Sequence, residues 1–402
     1  MRTILPESVG LSAARLRRID RAMQAYVDRG QLAGLITVLA RRGQVAHLGI
    51  YGQSDLSRQA AMQEDAIFRI FSMTKPITCL AVLMLYEEGA FHLQHPVSAF
   101  IPAFQDLKVF LRETESGLET GPLARPVTIY DLLTHTSGLG YGLDGDTPVN
   151  RLYQEAAMLR CDETLAEKTS RVARMPLLHQ PGLRYTYSIG IDILGRIIEI
   201  VSGLALDDFF QQRIFEPLGM VDTGFFVPPE KLPRLATLYT ANPPVGLVDV
   251  ASLPGDPTQF PFGQWTDKRA RPPFLSGGGG LVSTTADYLR FAMLLHNQGK
   301  LDGVRLLSRK TVALMTAAHL QPDQFFVSGV SSGLGVLVMT DPARAQMLGS
   351  AGAYGGSGAA QTEFWVDPQE DMVGLLMTQY IHASPIAVGM DFRVLSEQAI
   401  ED

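Results

Sequence analysis

From Leu11 to Arg29 the apolar residues Leu16, Ile19, Met23, Tyr26 and Val27 recur at helical spacing and predict an amphipathic helix. The pattern then changes to β-rich runs, Gly34 to Ala40 (GLITVLA) and Gln44 to Tyr51 (QVAHLGIY), with Arg41-Arg42-Gly43 as a hairpin turn between them. The far end mirrors this. Gly335 to Thr340, Thr362 to Asp367 and Met372 to Tyr380 read as strands, with Asp367 to Asp371 as a turn, and a closing helix runs from about Ser384. Between the ends, helices are predicted after Ser72, after Thr128 (TIYDLLTH), over Gly190 to Ser202 and over Ala286 to Gln298. The last is capped by Thr284 with Asp287 and stopped at Gly299. Phe226 to Pro273, rich in Pro and Gly, reads as an irregular excursion that either lines a cleft or decorates the surface.

Strands at both ends with helices between them predict an α+β chain. The two ends combine into one antiparallel sheet flanked by the terminal helices, and the middle forms a mainly helical lobe. Residues 1–70 and 200–402 are assigned to the sheet-containing domain and residues 71–199 to the helical one, with the active site at their interface.

With 402 residues, 46% hydrophobic and 19% charged, the chain has the makings of a large globular protein, without internal repeats or low-complexity segments. A formal net charge of −7 argues against nucleic acid or an anionic membrane as the main partner, because both need a basic surface. No run approaches the roughly 18 apolar residues of a membrane helix, and the first residues turn polar too early for a secretory signal, so a cytoplasmic location is expected. The two cysteines, Cys79 and Cys161, imply no disulfide framework, and Cys79 reads as a buried small hydrophobe. The eight histidines lack metal-ligand spacing. No metal or cofactor is expected, and the oligomeric state stays open.

Candidate chemistry begins at Phe71-Ser72-Met73-Thr74-Lys75-Pro76, followed by the apolar run Ile77 to Tyr86. Positions three apart share a helix face, so Ser72 and Lys75 point the same way, with Ser72 in the first turn where free N–H groups favour negative charge. Pro76 fits only near a helix start. Desolvation between two lobes would favour a neutral lysine able to take the serine proton. A bare S-x-x-K arises by chance roughly once in a chain of this length. Here it occurs once, at a helix start with an apolar continuation. Tyr187, in Tyr185-Thr186-Tyr187-Ser188-Ile189 ahead of a helix, could relay a proton, although most tyrosines simply pack. Gly355 to Ala360, running into a strand, is either a glycine-rich turn or a backbone edge presenting an oxyanion N–H beside that of Ser72.

These segments together resemble the family VIII carboxylesterases of the serine β-lactamase and penicillin-binding-protein superfamily. FRIFSMTKPITCLAVLMLYEEG, TIYDLLTHTSGL, YSIGIDILGRIIEIVSG, IFEPLGM and SGGGGLVSTTADYLRF follow the family's order over nearly the whole chain. The resemblance implies the β-lactamase-like fold, with Ser72 as nucleophile, Lys75 as base and Tyr187 as the third catalytic residue. It also implies hydrolysis of a small-molecule, short-chain carboxylic ester through an acyl-serine. Two departures matter. Penicillin-recognising relatives usually carry Asn where this chain has Ile189. Their third motif opens on Lys or His, whereas esterase relatives often show Trp-Gly-Gly. Ungapped matching from Phe364-Trp365-Val366-Asp367-Pro368 places Gly356-Ser357-Gly358 there and makes Ala359 the second oxyanion donor. A shift of two would give Tyr354-Gly355-Gly356 with Ser357 as donor. Ile189, Gly356, Ser357 and Gly358 are the expected substrate-binding positions.

Other readings share parts of this pattern. β-Lactamase, D-Ala-D-Ala peptidase and acyltransferase chemistry use the same acyl-serine, and a non-catalytic penicillin-binding-like receptor would keep the fold without the reaction. Gly329-Val330-Ser331-Ser332-Gly333 is a formal G-x-S-x-G, but a strand-like run follows where an α/β-hydrolase needs a helix, and His382 is the one histidine downstream. His135, in LTHTSGL, reads as structural, bonding to backbone.

Overall fold

The computed structural model describes all residues of the chain except 116, 144, 159, 243–244, 255–266, 326 and 382–385. Its first elements are helix α1 (Ala13–Asp28) and strands β1 (Gly34–Arg41), β2 (Gln44–Asp55) and β3 (Ala60–Ala61). Helices α2 (Thr74–Glu87), α3 (Gly190–Ser202) and α4 (Thr285–His296) follow. The chain closes with β4 (Val330–Ser332), β5 (Leu337–Met339), β6 (Tyr354–Gly358), β7 (Thr362–Asp367), β8 (Met372–Thr378) and α5 (Val388–Glu397). Ser384, expected to open the last helix, lies outside the described residues.

The eight strands form one sheet in the order β4-β5-β6-β7-β8-β1-β2-β3, so the two chain ends meet where β8 pairs antiparallel with β1 (Leu35 opposite Thr378, Val38 opposite Leu375). Every residue of β1 is buried, as both faces of the sheet are covered. Alternation sorts its side chains. Leu35 and Leu39 join the core under α1 and α5, and Ile36, Val38 and Ala40 join the larger core. On that second face Tyr288 and Phe291 of α4 pack edge-on against Phe364 of β7.

The larger core runs on through α2 and α3, whose buried faces hold Ile77, Leu80 and Leu83 on one and Ile193, Leu194 and Ile197 on the other. A hairpin in this region, Lys108–Thr114 with Gly117–Pro122, has no counterpart in the sequence reading. Among its residues, Val109 and Gly121 alone are buried, so no apolar alternation announces it. In the excursion from 226 to 273, a second hairpin joins Tyr239–Asn242 to Gly246–Asp249. No helix among the described residues is long and apolar enough to cross a membrane.

Candidate active site

Ser72 sits on a 3-10 turn, Phe71–Met73, and α2 begins at Thr74. The serine thus stands two residues ahead of the α-helix proper, on the 3-10 turn that leads directly into it. Phe71 holds a left-handed backbone (φ 42°), a strain of about 1–3 kcal/mol for a bulky residue that its burial in the core offsets. The turn is fixed from three sides. The Tyr288 hydroxyl donates to the Met73 carbonyl (2.8 Å), the Leu281 N–H donates to Thr74 Oγ1 (3.2 Å), and the Ile70 N–H donates to the Leu281 carbonyl (3.1 Å).

Lys75 is buried, and its Nζ donates to Ser72 Oγ (3.1 Å) and to the Gly278 carbonyl (2.6 Å). From the other side the Tyr187 hydroxyl donates to the same Ser72 oxygen at 2.6 Å. Lys75 Nζ lies 4.5 Å from the centre of the Tyr187 ring. Three residues singled out in the sequence, one of them 115 positions from Ser72, therefore meet at a single oxygen atom. His135 supports this wall. Its Nδ1 accepts the Ser188 N–H (3.2 Å), and its ring lies 5.0 Å from that of Tyr187. Burial, and then the nearby Lys75, push the imidazole down to about 3, so it is neutral at working pH.

The sequence did not reveal the support behind Lys75. The buried carboxylate of Asp192 accepts Ser276 Oγ (2.6 Å), the Gly278 N–H (3.0 Å) and the Tyr141 hydroxyl (3.3 Å). Gly278 in turn gives its carbonyl to Lys75. A side chain at Gly278 would collide with Asp192 and Tyr141, which is why this segment of SGGGG must be bare. Asp192 is a positioning residue: it accepts the Gly278 N–H and so fixes the segment whose carbonyl accepts from Lys75. Asp192→Asn should lower kcat by about tenfold or more, less than loss of a direct proton-transfer group. The loss should appear in kcat with KM little changed, because the substrate-facing walls are untouched. A near-normal kcat with reduced melting temperature would leave Asp192 a structural residue only.

The third motif lies on β6 and the turn after it. The Gln361 N–H donates to the Gly358 carbonyl (3.0 Å), pointing that carbonyl toward β7. In a trans peptide the N–H of the next residue points the opposite way, so the Ala359 N–H faces the open edge of β6. Ser357 faces the same edge by alternation, since the Ala353 carbonyl there accepts from Met339 of β5. The two differ in their distance from the Ser72 turn. A Cβ at Gly358 would overlap the Ile70 carbonyl, so it is the Gly358–Ala359 end that is pressed against the segment leading into Ser72.

Ser72, Lys75, Tyr187, Gly356, Ser357, Gly358 and Ala359 all line one cleft of about 400 Å³. Ile189 does not. It is 1% exposed, in the core at the start of α3, so its expected contact with substrate is corrected. Tyr187 turns to the cleft and Ile189, two residues on, turns inward as the chain enters the helix. Among the described residues lining the cleft, Lys75 is the one cation, and there is no carboxylate or amide side chain. No described residue of the 226–273 excursion lines it. Ser331 is buried within strand β4, its hydroxyl bonded to the Leu320 backbone, with no strand-to-helix elbow around it. His382 lies outside the described residues.

A large antiparallel sheet between helices, with a helical region packed against one end, is the β-lactamase-like fold. A family model described as Beta-lactamase matches residues 19–396, and the chain belongs to that family of hydrolases. Esterase EstB of Burkholderia gladioli is 32% identical over 386 residues, 93% of each chain. Protein Rv1367c of Mycobacterium tuberculosis is 36% identical over 372 residues, 89% of this chain and 88% of that one. Among solved structures, EstCE1, described as a hydrolase with promiscuous acyltransferase activity, has a TM-score of 0.79. It is 26% identical over 96% of this chain and 98% of its own.

Proposed function

We propose that the protein is a serine carboxylesterase acting on uncharged small-molecule esters through an acyl-serine intermediate. One observation carries this reading: Ser72 Oγ is held by both Lys75 Nζ and Tyr187 Oη in a cleft with no other charged side chain among its described residues. Ser72 Oγ attacks the ester carbonyl carbon while its proton passes into the Lys75–Tyr187 pair. The carbonyl oxygen becomes an oxyanion facing the N–H groups of Ser72 and Ala359. Collapse of the tetrahedral intermediate breaks the bond to the alcohol oxygen, which leaves with a proton from the pair. Water, deprotonated by the same pair, then attacks the acyl-serine carbonyl carbon, and collapse breaks the bond to Ser72 Oγ, which takes the proton back from the pair as the carboxylic acid leaves. The similarity to Esterase EstB supports the same choice.

Both esters and β-lactams would use this nucleophile, so discrimination rests on the walls. A lactam's carboxylate calls for a free cation, and the one cation among the cleft's described residues, Lys75, is already bonded to Ser72 and to the Gly278 carbonyl, while the third-motif position carries Gly356. A site built to bond a group discriminates far more strongly than one that tolerates it. The kcat/KM for a short p-nitrophenyl ester should therefore exceed that for a chromogenic cephalosporin by several orders of magnitude. Comparable efficiencies on one preparation, both abolished in Ser72→Ala, would overturn the ester preference and leave the nucleophile standing.

A further inference from the structure

The cleft is the first of three hollows that share walls. Leu337, Gly355, Gly356 and Ser357 form its wall on one side, and the same four residues form the rim of a second recess of about 160 Å³. That recess lies on the sheet face shared with α1 and α5. Register puts Leu337 opposite Gly355, Gly355 opposite Trp365 and Ser357 opposite Glu363, so these side chains share one face. A Cβ at Gly355 would run into the Phe364 backbone, so this position of the recess's rim must stay bare. Its other walls include Val330, Met339, Met347 and Trp365.

Met347 and Arg393 are shared in turn with an outer groove of about 390 Å³, whose wall carries Leu348, Met390 and Val394 at 47%, 60% and 44% exposure. Three exposed apolar side chains around one groove form a patch that calls for an apolar occupant. The charged groups lining the recess are Arg393, whose Nη2 lies 3.9 Å from Asp367, and Glu363. Arg393 lies over the Trp365 ring (4.0 Å) with its Nε donating to Glu397 (2.8 Å), and burial raises the Glu363 carboxyl toward its neutral form.

We propose that this track is the acyl subsite: the enzyme takes esters of extended apolar carboxylic acids, whose chain runs from Ser72 over Leu337 into the recess and toward Met390. The inference rests on the carboxylesterase reading and deepens it. Direction follows from the chemistry. The departing alcohol oxygen must receive a proton from the Lys75–Tyr187 pair, so the alcohol lies on that side. The acyl chain then points the other way, along the β6 edge where the track opens.

The test is kcat/KM for p-nitrophenyl butanoate and octanoate. Full burial of a methylene is worth about fourfold in transition-state binding. The half-open recess should still make the octanoate the better substrate of the wild-type protein by roughly tenfold or more. Met347→Trp and Val330→Trp, which fill the recess from opposite walls, should each cut the octanoate-to-butanoate ratio by about tenfold. Two variants guard against misfolding of either, with circular dichroism as the check. An active enzyme with a flat chain-length profile, or a ratio that survives both substitutions, overturns the acyl track alone. Failure of the wild-type protein to hydrolyse either ester overturns the carboxylesterase reading and this inference with it.

Discussion

Ser72→Ala is expected to abolish ester hydrolysis, with a fall in kcat on the order of 10⁴–10⁶, whereas Ser331→Ala should keep most of it. The contrast is set by what each hydroxyl touches. Ser72 Oγ lies within hydrogen-bond reach of both Lys75 Nζ and Tyr187 Oη and lines the cleft. Ser331 Oγ, 3% exposed, accepts the Leu320 N–H and donates to the Leu320 carbonyl, both at 3.2 Å. Removing it leaves two buried backbone groups unpaired, which costs about 1–3 kcal/mol of stability and no chemistry. Turnover of p-nitrophenyl acetate and labelling by a fluorophosphonate check both variants, with melting temperature as the third measurement. The fluorophosphonate should label the wild-type protein and Ser331→Ala but not Ser72→Ala. If Ser331→Ala were inactive and unlabelled while Ser72→Ala kept its rate, the assignment would fall. Absence of labelling in a folded wild-type protein would instead favour a receptor that keeps the fold.

What the sequence made legible was local or periodic. Helix α1 follows from its spacing of 3.6, strands β1, β7 and β8 follow from short β-rich runs bounded by turns, and capping of α4 by Thr284 follows from its fit to a known helix start, with the Asp287 N–H bonding the threonine oxygen. The pairing of Ser72 with Lys75 is also local, three residues apart on one turn. Tyr187 could be chosen over other tyrosines only through the family resemblance. The Asp192–Gly278–Lys75 support was illegible, because Lys75 and Gly278 are 203 residues apart and no periodicity encodes such a contact. Ile189 shows the converse error. Matching positions along a motif says which residue stands there but not which way it points, and entry into α3 turns this one into the core. The third motif needed backbone direction, which composition does not carry. The glycines signalled close approach, and the Ile70 carbonyl is what they approach.

Lys75→Ala and Tyr187→Phe should each lower kcat by about 10²–10⁴ without unfolding the protein. Neither substitution removes much of the apolar core, and both leave Ser72 in place, so the loss should appear in kcat more than in KM. The two effects should not add. Both groups bond the same oxygen, at 3.1 and 2.6 Å, and residues acting as a unit are non-additive, so the double variant should resemble the worse single one. His135, the imidazole on this wall, does not share the proton-transfer role, because burial and the nearby Lys75 hold it down at about 3 and neutral. A soluble Tyr187→Phe protein with near-normal turnover would remove the phenol from proton transfer and leave Lys75 as the sole base. A folded Lys75→Ala protein with near-normal turnover would remove the lysine instead.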